Sequence, residues 1–211
     1  SDLVVTAEAG VDAIRSAPWL PESVVAVVAG GSRRQESVAL GVAALDALDA
    51  RDAPDVRDGP HARVVLVHDG ARPAVTSDLI DHVARLAAGE GAAIPVLPVA
   101  ETVKRVEGGR VTATIDRSTL ATAQTPQGVR RDLLRAAWAE YPPTGAREFT
   151  DEAALLEACR IPVHAIPGDP RNLKVTVPAD LQRAEALLHV NDFAHWDLAA
   201  DDPGATRQIG R

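Results

Sequence analysis

Val64-Val65-Leu66-Val67-His68-Asp69-Gly70-Ala71-Arg72-Pro73 decides how the rest of the chain is read. Four apolar, mostly β-branched residues predict a buried strand, and the abrupt polar turn at His68 and Asp69 puts its carboxyl end there. Open α/β sheets bind their ligands at that edge. Asp69, Gly70 and Arg72 then supply an acid, a backbone that a ligand can approach and a guanidinium. Together they suffice to hold a metal ion and clamp a phosphate. An ordinary strand end, with Asp69 capping a turn and Arg72 in solvent, uses the same residue types. The choice therefore rests on the neighbouring segments.

Upstream, Leu3 to Thr6 reads as a strand, Val11 to Ala17 as a short helix stopped by Pro18, and Ser23 to Val28 as a second buried strand. That strand runs into Gly30-Gly31-Ser32-Arg33-Arg34-Gln35-Glu36-Ser37, after which Val38, Val42, Leu45 and Leu48 mark one helix face. Backbone N–H groups freed at such a turn can cradle an anion or a nucleotide. A plain strand-to-helix turn would carry the same glycines. Arg51 to His61, with two prolines, a glycine and mixed charges, reads as an exposed connection.

Downstream, Ser77 is placed to cap a helix that Gly89 to Gly91 end, and Ala92 to Val99 is a strand apolar enough for burial on both sides. Glu101 to Val106, the turn Glu107-Gly108-Gly109-Arg110 and the alternating Val111 to Ile115 predict a β-hairpin arm. An alternating face with few partners in its own domain suggests packing on another subunit. In Gln124-Thr125-Pro126-Gln127, Pro126 keeps Thr125 out of helical geometry, so that its hydroxyl can face a site. Leu133 to Tyr141 is a helix, Thr150-Asp151-Glu152 opens another by capping, Val163 to Ile166 is a strand, and Pro178 starts a last helix. Lys174, between Leu173 and Val175, faces away from both, toward solvent or a phosphate.

The 211 residues, 46% hydrophobic and 25% charged, suit one α/β domain with or without an appendage. With 3% aromatic residues, helix-on-sheet packing is favoured over a ring-lined cofactor cage, and a net charge of −8 argues against a nucleic-acid partner. A single cysteine, Cys159, excludes an internal disulfide and a cysteine-based zinc site, and beside Leu155 and Leu156 it reads as core. No membrane span or signal peptide is legible, so a cytoplasmic protein is expected. The domain is placed at residues 1–188, with the arm at about 101–117, and 189–211 as a tail or linker.

Seven segments stand in one order: Gly30-Gly31 with Arg34 and Glu36-Ser37-Val38; Val67 to Pro73; Pro98-Val99-Ala100-Glu101-Thr102-Val103-Lys104; Asp116-Arg117; Thr125-Pro126-Gln127; Thr150-Asp151-Glu152-Ala153; and Asn172-Leu173-Lys174-Val175-Thr176. The pattern, from about Leu3 to Leu188, resembles the 2-C-methyl-D-erythritol 4-phosphate cytidylyltransferase family. The resemblance implies a Rossmann-like, mostly parallel sheet flanked by helices, and a hairpin arm clasping the partner of a homodimer. It implies CTP and methylerythritol phosphate as substrates, joined with release of pyrophosphate, and a divalent metal, usually Mg²⁺. Carried over by position, Asp69 would hold metal and nucleotide, with Gly31, Ser37 and Gly70 also on the nucleotide. Arg72, Thr102, Thr125 and Thr150 would surround the methylerythritol phosphate, while Lys174 and the other subunit's Arg117 would position the attacking phosphate. His68 is most simply a strand-end residue.

Gly70 stands where Ala is more usual and Glu101 where Asp is. The family also opens with a strand and a Gly-rich basic loop for the CTP triphosphate, and this chain starts after that point. The expectation is a fragment preceded by one strand-loop-helix unit of about 30–60 residues, and the lack of any Met agrees. Two alternatives stay open: a pentitol phosphate cytidylyltransferase acting on a substrate such as ribitol 5-phosphate, and a shortened, non-catalytic homologue that binds nucleotide or dimerises.

Overall fold

The computed structural model describes residues 2–52 and 64–189. The connection read between Arg51 and His61 lies largely outside these residues, as does the segment from residue 190 onward. The first unit is a parallel pair, β1 (Asp2–Thr6) and β2 (Val24–Ala29), joined through the short helix α1 (Val11–Arg15). Helix α2 (Arg34–Asp52) follows and packs on both strands. There Gly41 makes room, because a Cβ would stand 2.8 Å from Val5 Cγ2.

The larger sheet has the strand order β3 (Val64–Val67), β8 (Gln127–Arg130), β4 (Ala92–Pro98), β7 (Ala121–Ala123), with β9 (His164–Pro167) also pairing with β4. β3, β4 and β9 share one direction, but β8 runs antiparallel between β3 and β4, and β7 is antiparallel to β4. The expectation of a mostly parallel sheet is therefore corrected to a mixed one. The cause is β8, a four-residue strand with a glutamine, a glycine and an arginine, which carries no apolar run for the eye to catch. It is nonetheless almost fully enclosed, and Gly128 is required there, since a Cβ would lie 2.8 Å from Val83 Cγ1 and 3.0 Å from the Ala87 Cβ.

Adjacent residues of a strand face opposite sides, and two cores result. Val65, Ala92 and Val129 pack with Val42 of α2, Leu134 and Ala137 of α4 (Arg131–Glu140), and Leu155 and Leu156 of α5 (Glu152–Ala158). On the other face Ala93 and Ile166 meet Leu79, Val83 and Ala87 of α3 (Ser77–Glu90). The α3 cap is Thr76, not Ser77: Thr76 is extended, at φ −93° and ψ 151°, and its hydroxyl accepts from the Leu79 N–H. The helix ends as read, at Gly91 with φ 101°. A last helix, α6 (Pro178–His189), begins at the proline expected.

The residues read as the arm form a separate antiparallel hairpin, β5 (Val103–Glu107) and β6 (Arg110–Ile115). Gly108 and Gly109, at φ 55° and 75°, form a tight turn whose two left-handed positions only glycine occupies without strain. No described helix is long and apolar enough to cross a membrane.

Candidate active site

The polar residues converge at the carboxyl ends of β2 and β3. After β2, the chain turns through Gly30 to Arg33 into α2, and Glu36 folds that turn onto the helix. Its carboxylate accepts from the Ser32 hydroxyl (2.7 Å) and N–H (2.9 Å) and from Arg33 Nε (2.8 Å). The Gly31 N–H donates to Ser37 Oγ at 3.1 Å. Both glycines are needed for space: a Cβ on Gly30 would lie 2.5 Å from Ser37 Oγ, and one on Gly31 would overlap the Glu36 Cβ. Around Gly70 a Cβ would meet nothing within 4 Å. Gly31→Ala is thus expected to lower the melting temperature, whereas Gly70→Ala should leave it unchanged or slightly raised, as differential scanning would show.

Hydrogen bonds from Ser32 and Arg33 hold the Glu36 carboxyl at about 2, against an ordinary 4.5. A depressed folded-state value means that Glu36 stabilises the turn above pH 4.5 and that this contribution fades as pH falls toward 2. A carboxyl ¹³C titration is expected to show this midpoint, and Glu36→Gln to remove that part of the acid sensitivity. A midpoint near 4.5 would mean the turn is not held this way.

After β3 comes Asp69, ringed by cations. Lys174 Nζ lies 2.8 Å from its carboxylate, Arg72 Nε 3.9 Å and Arg34 Nε 4.0 Å. Burial pushes the Asp69 carboxyl up, but the hydrogen bond and charge of Lys174, with Arg34 and Arg72, outweigh it and hold the group below its ordinary value. Arg72 is anchored by Nη1 donating to the Asn172 carbonyl at 2.7 Å, and burial pulls its own value down despite Asp69. Its Nε is buried without a hydrogen-bond partner among the described residues.

Three enclosed amides build the frame. Asn172 donates to the Thr125 carbonyl (2.7 Å), Gln124 to the carbonyls of Asp169 (2.9 Å) and Asn172 (3.2 Å), and Gln127 to Asp151 (2.9 Å). The Val175 N–H donates to the Ala71 carbonyl at 2.8 Å, which ties the Lys174 segment to the Asp69 turn. Asp151 caps α5 through the Ala154 N–H, as read. Glu152 does more than begin a helix: 4% exposed, it grips Arg34 through two bonds of 2.7 and 2.9 Å. Burial lowers the Arg34 value, but the Glu152 bond and charge prevail and raise it.

Of the residues named from sequence, Asp69, Arg72, Thr125 and Lys174 come together. Gly70 lies open beside them, and Gly31 and Ser37 form the neighbouring turn. The Thr125 hydroxyl is not free to face a cavity: it accepts from the Asp69 N–H at 3.0 Å and lies 3.0 Å from His68 Nδ1. Thr150 is exposed at the approach to α5, and Thr102 and Arg117 are exposed at the base of the arm. Neither Thr102 nor Arg117 forms a side-chain hydrogen bond among the described residues. The reading from sequence gave no partner role to Glu152 or His68, because their partners lie across the fold or depend on turn geometry. Cys159 is half-buried, and burial, aided by Glu140, pushes its thiol up, in keeping with a core role.

The site is thus a carboxylate ringed by three cations at the carboxyl edge of an α/β fold. Residues 3–190 match the 2-C-methyl-D-erythritol 4-phosphate cytidylyltransferase family, and the chain belongs to it. It is 50% identical over 165 residues to the bifunctional enzyme IspD/IspF of Solidesulfovibrio magneticus, over 78% of this chain and 37% of that protein. It is 45% identical over 170 residues to the 2-C-methyl-D-erythritol 4-phosphate cytidylyltransferase of Nocardia farcinica, over 80% of this chain and 66% of that one. The crystal structure of that enzyme from Thermus thermophilus superposes with a TM-score of 0.69 at 36% identity, over 89% of this chain and 81% of the other. The chain thus spans less than two thirds of the length of these two curated relatives.

Proposed function

We propose that the protein carrying this chain is a cytidylyltransferase that joins 2-C-methyl-D-erythritol 4-phosphate to CTP, releasing pyrophosphate, in isoprenoid biosynthesis. The observation that carries the reading is Asp69 with Lys174, Arg72 and Arg34 around it. The names of the relatives favour the methylerythritol substrate over a pentitol phosphate. A phosphate oxygen of the acceptor attacks the α-phosphorus of CTP, a new P–O bond forms, and the bond to the β-phosphate breaks. The five-coordinate phosphorus gathers negative charge, so fixed cations lower the barrier where a general base would add little.

In this reading Lys174 and Arg72 supply two of those cations. Gly31 and Ser37 present the turn to the nucleotide base, and Gly70 leaves its backbone open to the nucleotide. Among the described residues no cluster of three metal-binding side chains occurs. Asp69 is the carboxylate that would hold a Mg²⁺ ion, leaving room in its shell for substrate phosphate oxygens and water. When bound, the ion would neutralise phosphate charge.

The arm is read as the contact of a cytoplasmic homodimer. Val106 and Val111 are 59% and 64% exposed on it, an apolar pair left open by the described residues of its own subunit. Thr102, Thr150 and the partner's contribution through Arg117 would complete the methylerythritol side. Pyrophosphate release from CTP should occur with methylerythritol phosphate and fail with ribitol 5-phosphate. Release with neither would overturn the reading, and release only with ribitol 5-phosphate would reassign the substrate.

A further inference from the structure

His68 sits at the end of β3 with both ring nitrogens engaged. Nε2 lies 3.1 Å from the Arg72 carbonyl and Nδ1 3.0 Å from Thr125 Oγ1. A carbonyl can only accept, so Nε2 carries a proton. In the neutral ring Nδ1 then offers a lone pair, and the Thr125 hydroxyl donates to it. The same hydroxyl oxygen accepts from the Asp69 N–H at 3.0 Å. One directed chain results, from the Asp69 amide through Thr125 and the imidazole to the Arg72 carbonyl. It closes over a turn whose own backbone bond runs from the Arg72 N–H to the Asp69 carbonyl at 3.0 Å. Both ends of that turn carry a site residue, and Thr125 is 5% exposed and fixed by its segment's bonds to Asn172.

We infer that His68 is a positioning residue. Its Nε2–H tautomer clasps the turn from Asp69 to Arg72 against Thr125 and so sets the spacing between the carboxylate that faces the nucleotide and the guanidinium that faces the acceptor phosphate. A residue in an exposed place, with no contact to the reacting atoms, thereby acts on the geometry of two that have one. The role in turnover rests on the proposed cytidylyl transfer; the clasp itself does not.

The two parts separate in the test. In protein labelled with ¹⁵N at histidine, long-range ¹H–¹⁵N spectra at alkaline pH, where imidazoles are neutral, are expected to show His68 as a single tautomer, protonated at Nε2 and unprotonated at Nδ1. A ring protonated at Nδ1, or averaging between tautomers, would overturn the clasp whatever the activity. His68→Ala is expected to reduce kcat about tenfold while the KM for CTP changes less than about threefold, because misplacement weakens the reacting geometry more than binding. His68→Gln, whose amide can still donate toward the Arg72 carbonyl, is expected to recover part of the loss. Unchanged kcat in His68→Ala, or a loss shown equally by a fall in melting temperature, would overturn the positioning role. A parent protein inactive with CTP and methylerythritol phosphate but showing the Nε2–H tautomer would instead sink the reaction and leave the clasp.

Discussion

Replacing Lys174 by Ala is expected to lower kcat for cytidylyl transfer by about a hundredfold or more, the size found when one charge-stabilising donor is removed from a transition state. The effect should fall on turnover and leave folding almost untouched. Lys174 keeps 48% of its side chain exposed, and exposed ion pairs contribute roughly 0–1 kcal/mol to stability. Steady-state pyrophosphate release together with a urea melt gives both numbers. A Lys174→Ala protein with full turnover would remove the residue from the reaction. One that unfolds several kcal/mol more easily would make it structural.

Replacing Glu152 by Ala should have the opposite profile. Glu152 is enclosed, and its loss removes both hydrogen bonds that hold the Arg34 guanidinium, leaving Asp69 at 4.0 Å. Breaking a fully buried pair from one side costs about 3–5 kcal/mol. Here Arg34 retains 34% of its side-chain surface in solvent and can turn toward water. A loss of about 2–3 kcal/mol is therefore expected from denaturant unfolding. The double substitution Arg34→Met with Glu152→Leu removes both charges and should restore most of that stability. A cost below about 0.5 kcal/mol for Glu152→Ala would show that the pair does not hold the starts of α2 and α5 together.

These residues also mark what a sequence can and cannot disclose. Strands β1 to β4 were legible because apolar runs bounded by turn residues have few other readings. The arm was legible because Gly108-Gly109 between alternating segments specifies a tight hairpin. β8 was not, since its assignment comes from neighbours on both sides and its residues have weak strand preference. At the site, Asp69 and Arg72 were visible as adjacent chemistry. The cations that complete the ring, Arg34 and Lys174, come from segments far along the chain in either direction; the family pattern gave Lys174 a role beside the phosphate, and Arg34, though part of that pattern, received none. Glu152 looked like a helix start because the first turn of a helix favours acids on local grounds. Its partner is decided by how α2 and α5 pack, which no local rule contains. His68 needed the turn closed before its second nitrogen had anything to bind.

The placement of β8 between β3 and β4 has a further consequence for how the chain is made. Val64 pairs with Arg130, so the central ladder closes only after α3, β4 and the whole arm have been synthesised. Contacts so distant along the chain are slow to find, because a long loop must be ordered before any pairing rewards it. During that interval the arm, stabilised by its own local turn, is a β element already able to form. Its pairing is local, and Val106 and Val111, opposite each other across it, do not depend on β8 for their exposure.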